Sequence, residues 1–299
     1  MAALGSPTRI PTDFDGAFAY REEFFRLHTY SAGGVFCFNL RHIPGQIRPL
    51  DSLGLPAAFR DVALTSQRGL ILVTGPTGSG KSTTLASAID HRNGRHPEVI
   101  LTFEDPIEFR HANRRGLVRQ LQKGLDFESF AAALRGALRS DPDVILVGEL
   151  RDQETISAAL TAAETGHLVL GTLHCGTAPD AVSRIADAYP AERAAEVRVQ
   201  LAKNLIAVLA QQLVRSRDHR LTGAFELMLG TTGVRHLIAD PGRKYPLLAN
   251  EIATGGSHGM ISMDQSLQDL CRRRVIERAE ALRCAVHPAA LESLLPPAR

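Results

Sequence analysis

Residues 69–84, GLILVTGPTGSGKSTT, restrict the fold more than any other stretch of the chain. Leu70, Ile71, Leu72 and Val73 make a short unbroken apolar run, the pattern of a strand covered on both faces. Gly75 to Ser82 then complete the spacing G-x-x-x-x-G-K-[ST], which predicts strand, tight loop and helix in that order. Glycines let the backbone bend round phosphate with no Cβ in the way. The loop N–H groups and the N-terminus of the following helix both face the anion. Gly75, Pro76, Thr77, Gly78, Ser79, Gly80, Lys81, Ser82 and Thr83 are therefore the candidate nucleotide-binding residues. Lys81 is placed to reach the β- and γ-phosphates, and the Ser82 hydroxyl to ligate Mg²⁺.

Further apolar runs repeat the theme. Residues 99–103 read as a second buried strand that delivers Glu104, Asp105 and Glu108. Residues 143–149 read as a third, ending in the carboxylate of Glu149. Residues 167–174 read as a fourth, with His167 and His174 at its ends. Helical patterns separate them: from Lys81 to a stop at Asn93-Gly94, from an Asp126 cap to Asp141-Pro142, and over 152–165. Strands alternating with helices predict an α/β fold with a parallel sheet, whose ligands gather at the C-terminal strand ends. Ahead of this core, residues 1–19 read as loosely ordered, and residues 24–40 as two short strands turning near Ser31-Ala-Gly-Gly34. Residues 46–68 read as linker and helix. From about residue 178 the pattern is mainly helical, with 191–214 as the longest helix, a strand-like break at 224–229 and a helix capped by Asp264.

Phosphate transfer to water needs a metal, a positioned water and a sink for developing charge. Glu149 and Glu104 are the candidates for ordering metal and water. His174 is a candidate γ-phosphate sensor, with His167 as its counterpart at the other strand end. Arg26, Arg41, Arg135, Arg139 and Arg151 are candidate charge sinks, and the residues alone do not choose among them. The formal charge of +2 gives no field that suggests nucleic acid. The four cysteines form no C-x-x-C pair, which argues against a zinc site and fits a reduced compartment. No run approaches the roughly 18 apolar residues of a membrane span, so membrane association is expected only through partners.

The quoted motifs together resemble the secretion-ATPase superfamily, and within it the PilT-like retraction motors of type IV pili. The resemblance rests on GPTGSGKSTT (75–84), TFEDPIEF (102–109), ALRGALRSDPDVILVGELRD (133–152) and TAAETGHLVLGTLH (161–174), in that order. FELMLGTTGVRHLI (225–238) and ATGGSHGM (253–260) extend it. The resemblance implies a RecA-like ATPase core at 69–299, mainly helical from about 178, preceded at 1–45 by the remnant of a PAS-like domain and joined to it by 46–68. It also implies ATP and Mg²⁺ as ligands, the metal held by Ser82 and, partly through water, by Glu149. A homohexameric ring acting on the inner-membrane pilus platform protein, at the cytoplasmic face of that membrane, follows from the same likeness. Glu104 and Glu108 match the family's acidic box, His167 and His174 its histidine box, and Arg26 and Arg41 the arginines of its N-terminal strands. A type II secretion or pilus-extension ATPase, or a nucleotide-binding paralogue with a structural role in a ring, are the alternatives. The sequence departs from the family pattern at Cys175, where Thr is usual, and at Gly233, Val234 and His236, where Ala, Ile and Asn are usual.

Overall fold

The computed structural model describes residues 13–21, 23–43, 45–240, 242 and 246–295. Residues 1–12, part of the stretch read as loosely ordered, lie outside them. The chain begins with β1 (Phe14–Tyr20), β2 (Glu23–Ala32) and β3 (Val35–Ile43), an antiparallel sheet with β2 in the centre. The sequence pattern gave only two of these strands. The β2–β3 turn sits at Gly33 and Gly34, both with positive φ (58° and 78°), which only glycine adopts cheaply.

The body follows as α1 (Ala57–Thr65), β4 (Gly69–Thr74), α2 (Lys81–Arg95), β5 (Val99–Glu104), β6 (Leu117–Gln122), α3 (Phe130–Ala137) and β7 (Val144–Val147). Then come α4 (Gln153–Glu164), β8 (Leu168–Leu173), α5 (Ala178–Asp187), α6 (Ala191–Asn204), β9 (Leu205–Arg215) and β10 (Leu221–Leu229). The helices α7 (Thr232–Ala239), α8 (Pro246–Thr254), α9 (Met263–Arg272), α10 (Arg278–Cys284) and α11 (Pro288–Leu294) complete it. Seven strands form one sheet in the order β10-β9-β4-β8-β7-β5-β6, parallel except for the β9–β10 hairpin. This is the mixed α/β fold with a mainly parallel sheet and helical C-terminal part that the sequence predicts.

Alternation along β4 divides the core. Leu70 and Leu72 pack with Ile156, Leu160 and Val182 on one face, and Ile71 and Val73 with Phe59, Leu85 and Ile89 on the other. A third apolar cluster, Val214, Ala224, Met263, Leu267 and Ile276, fastens the last helices to the β9–β10 hairpin.

Four boundaries differ from the sequence pattern. The helix expected over 191–214 ends at Asn204, and 205–215 is β9, buried between β4 and β10. A strand covered on both faces is apolar all round, so its periodicity does not separate it from a buried helix. The helix α2 runs through Asn93-Gly94 to Arg95, because Arg92 and Asn93 are buried and bonded there. The Asn93 amide donates to Ala112 O (2.7 Å) and its carbonyl accepts from Arg114 N (3.2 Å), shaping the loop before β6. Ser129, not Asp126, caps α3, while Asp126 accepts from Gln122 N at 2.7 Å. Ser262 caps α9 in a capping box with Gln265, and Asp264 instead holds the amides of Val286 and His287.

Arg92 is the main polar tie beneath the sheet. Its side chain is 2 % exposed, pairs with Glu98, and donates to the carbonyls of Ala63 and Ser66 at 3.0 Å each. Arg92→Ala leaves the Glu98 carboxylate and both carbonyls without that partner. It is expected to lower the unfolding free energy by about 3 kcal/mol, read from urea denaturation; a change under about 1 kcal/mol, the range of exposed pairs, would show that the tie is replaceable.

Candidate nucleotide-binding site

The order β4-β8-β7-β5 sets four parallel strand ends side by side. The phosphate loop leaves β4, His174 follows β8, Glu149 lies two residues beyond β7, and Glu104 closes β5. Buried backbone and hydroxyl contacts hold these exits together. Thr74 Oγ1 donates to Cys175 O and accepts from Cys175 N, both at 2.9 Å. Gly148 N donates to Phe103 O (2.8 Å), and Thr172 Oγ1 donates to Gly148 O.

The loop is closely pressed against β9. A Cβ on Gly75 (φ 146°) would lie 2.3 Å from the Gln211 carbonyl oxygen and 2.7 Å from Ser79 Oγ, so no other residue fits there. Gly80 (φ 89°) opens α2. Lys81 is buried, and its ammonium donates to the carbonyls of Gly75 (2.9 Å) and Pro76 (3.0 Å). Burial lowers its pKa, while the nearby charges of Glu149 and Glu108 oppose that shift. Ser79 Oγ is buried with no hydrogen-bond partner.

The two carboxylates differ in setting. Glu149 Oε2 pairs with the Arg151 guanidinium at 2.6 Å and lies 3.5 Å from His174 Nε2. Its hydrogen bond raises the pKa of Arg151. Glu104 accepts from Thr102 Oγ1 (2.7 Å), Gln120 Nε2 (3.1 Å) and Glu108 N (3.4 Å). Its pKa is raised by burial, against the lowering effect of those bonds. Glu108 is exposed on the loop after β5. Hydroxyl and carboxylate oxygens are the donors that suit Mg²⁺ when phosphate oxygens complete its shell. Among the described residues no group of three or more His, Cys, Asp or Glu could hold a metal by itself.

The remaining candidates are spread out. His167 precedes β8, at the opposite edge of the sheet from the phosphate loop. Its ring is bonded to Ala162 O (3.0 Å) and Thr165 Oγ1 (3.3 Å), at the end of α4. The two histidines of one strand thus lie at opposite ends of it, and only His174 approaches Glu149. Arg26 and Arg41 face each other across β2 and β3, on the small sheet. Phe24, on the same face of β2 as Arg26, stacks against Arg110 (5.0 Å) of the loop that follows Glu104. Arg135 and Arg139 lie at the end of α3 and are exposed. Of the five arginines, Arg151 pairs with Glu149.

Sequence reasoning passed over Gln211, Thr84, Thr74 and Gln120. The signal for Gln211 was present: two adjacent amides, Gln211 and Gln212, in an otherwise apolar run, LIAVLAQQLV, read as helix. Gln120 needed the fold, because it acts from β6 on a loop that precedes it.

Comparison with known proteins follows these motifs. A family model described as type II/IV secretion system protein matches residues 40–244. The chain is 45 % identical over 261 residues to the type IV pilus retraction ATPase PilT of Pseudomonas aeruginosa, covering 86 % of this chain and 74 % of that one. It is 45 % identical over 262 residues to a twitching motility protein of Neisseria gonorrhoeae, covering 87 % and 69 %. A crystal structure of the pilus retraction motor PilT with bound ADP superposes with a TM-score of 0.84 at 40 % identity, over 94 % of this chain and 79 % of that one. No helix among the described residues is long and apolar enough to cross a membrane.

A raised carboxyl pKa in the folded state means that the fold holds the Glu104 proton to higher pH than the unfolded chain does. The stability this contributes is complete below the usual Glu pKa and is lost as pH rises through the raised value. Glu104→Gln removes that loss. Its urea midpoint is expected to gain on the parent's as pH rises above the usual Glu range; parallel curves would show that the carboxyl titrates normally.

Proposed function

The chain belongs to the type II/IV secretion system protein family, and we propose that it is an ATP-hydrolysing motor powering type IV pilus retraction. What carries the reading is the likeness to a retraction ATPase along 74 % of that protein's length, joined to a complete phosphate loop beside Glu149, Glu104 and His174. We read residues 1–45 as belonging to a PAS-like domain, 46–68 as the connection, and 69–299 as the ATPase domain.

In this reading the loop amides and Lys81 hold the β- and γ-phosphates. Phosphate oxygens replace the Gly75 and Pro76 carbonyls as partners of the buried ammonium, which strengthens the grip in a dry site. Mg²⁺, held by Ser82 and partly through water by Glu149, would neutralise charge on the phosphates. Glu149, held in place by its ion pair with Arg151, orients the attacking water and takes its proton. Water oxygen bonds to the γ-phosphorus, the bond to the bridging oxygen breaks, and ADP leaves with the electron pair. Glu104, fixed by Thr102 and Gln120, shapes the acidic loop so that Glu108 adds its field at Lys81. His174, next to Glu149, senses the γ-phosphate. His167 is assigned to bracing the end of α4.

Developing charge calls for an arginine. Arg26 and Arg41 lie together on a sheet separate from the phosphate-loop strands, which suits delivery to a neighbouring subunit's site. That arrangement supports a homo-oligomer, a hexameric ring. The ring would act on the inner-membrane platform protein of the pilus from the cytoplasmic side.

The test is ATP turnover by the pure protein. Lys81→Ala and Glu149→Gln are each expected to lower kcat by at least about a hundredfold. Nucleotide binding without variant-sensitive turnover would instead make the chain a structural member of a ring. Deletion in the host should leave surface fibres that cannot shorten; loss of the fibres would assign the chain to extension.

A further inference from the structure

Gln211 is a buried amide, 2 % exposed, in the middle of β9. A polar side chain there is costly unless both ends of its amide are bonded. Both are, and both bonds go to the phosphate loop and its helix. Gln211 Nε2 donates to Ser79 O at 2.7 Å, and Gln211 Oε1 accepts from Thr84 Oγ1 at 2.9 Å. The backbone of the same residue closes against the loop's first glycine: a Cβ at Gly75 would stand 2.3 Å from Gln211 O. A Cβ at Gly80 would stand 3.2 Å from Gln211 Nε2. One residue therefore touches the loop at its entry, at its crest and at the helix that follows.

The contacts bear on anion binding through geometry. A phosphate site of this kind works because several N–H groups converge on one point. Convergence depends on the peptide planes around Gly78, Ser79 and Gly80, and glycines by themselves leave those planes free to rotate. Gln211 fixes one of them by holding the Ser79 carbonyl away from the cradle, which turns the adjoining N–H of Gly80 the other way. The Thr84 bond sets α2 in register with the same amide. Its amide nitrogen and oxygen each already have a partner, Ser79 of the loop and Thr84 of α2, so its role is to hold the cradle.

We propose that Gln211 is a positioning residue for nucleotide, holding the phosphate loop in its anion-ready shape through Ser79 and Thr84. The proposal rests on the reading of this loop as a nucleotide site, and its test separates the two.

Titration calorimetry of the full chain with ADP and Mg²⁺ is run on the parent, Gln211→Leu, Thr84→Val and the double variant, with melting points of the nucleotide-free proteins alongside. Gln211→Leu is expected to weaken ADP about tenfold, from two lost hydrogen bonds acting partly on the bound state. Thr84→Val, which removes one of them, should cost about threefold, and the double variant no more than Gln211→Leu alone. In turnover, KM for ATP should rise by a larger factor than kcat falls. An affinity within about twofold of the parent in Gln211→Leu, with only the melting point lowered, would overturn the proposal and leave the nucleotide reading standing. Independent, multiplying effects in the double variant would overturn it as well. If Gln211→Leu does not fold, Thr84→Val decides, and unchanged ADP affinity there counts against the proposal. Failure of the parent to bind ADP would overturn both readings.

Discussion

The ammonium of Lys81 is the interaction on which the site depends. It is buried at the end of a seven-stranded sheet, where its charge is opposed by loss of water and supported by Glu149 and Glu108. A lone charge in that position would be neutralised by a falling pKa. The chain keeps it available with two loop carbonyls close at hand and two carboxylates farther off. The carbonyls accept two of its three N–H bonds, and the carboxylates supply the opposite field. The carbonyls come from the phosphate loop after β4, Glu149 from the segment after β7 and Glu108 from the loop after β5, so the charge holds only if the strand order does.

That order is set by burial. β4, β8, β7 and β5 are nearly continuous apolar runs because helices cover both faces of the sheet. Polar residues appear where each strand runs out, and the parallel topology makes all four run out at one edge. The hydroxyls of Thr74 and Thr172 then join neighbouring exits, β4 to the segment after β8 and β8 to the segment after β7. Spacing between Glu149 and His174 is thus fixed by backbone, and Arg151 fixes the Glu149 side chain. Glu104 is held by Thr102 of its own strand and by Gln120 of β6, the outermost strand of the sheet.

What sequence makes legible here is whatever has a local signature. The phosphate loop, the four apolar runs and the carboxylates at their ends all announce themselves within a dozen residues. So does the family likeness, which needs only short motifs in order. Legibility fails where one pattern has two physical meanings. The run at 205–215 is apolar because it is buried on both sides, and a strand and a helix share that reason. Taking it as helix hid Gln211, whose meaning comes from lying beside β4. His167 and His174 look equivalent as the two ends of one strand, yet a parallel strand has one end at the ligand edge and one at the far edge. Asp126 and Asp264 have the chemistry of helix caps, and each holds backbone amides elsewhere, because Ser129 and Ser262 stand nearer the true helix starts.

The β9–β10 hairpin connects these local matters to the rest of the chain. Gln211 pairs in register with Phe225, and Ala210 with Glu226. Phe225 N donates to Ser266 Oγ of α9 at 3.0 Å. Glu226, 6 % exposed, accepts from Ala178 N at 2.6 Å and Met263 N at 3.4 Å, gathering the first turns of α5 and α9 on one carboxylate. Burial raises its pKa, against the helix amides that favour its ionised form. The helices after β10 are therefore bolted to the hairpin at the same register at which the hairpin grips the phosphate loop. Buried bonded groups of this kind shift together or break; they do not absorb a displacement as a flexible linker does. A change in the shape of the loop thus meets a stiff path into the C-terminal helices. Among the described residues the small N-terminal sheet meets the body through the stacking of Phe24 with Arg110, on the loop after β5. The phosphate loop, the β9–β10 hairpin and the first turns of α5 and α9 thus form one unit tied through Gln211 and Glu226.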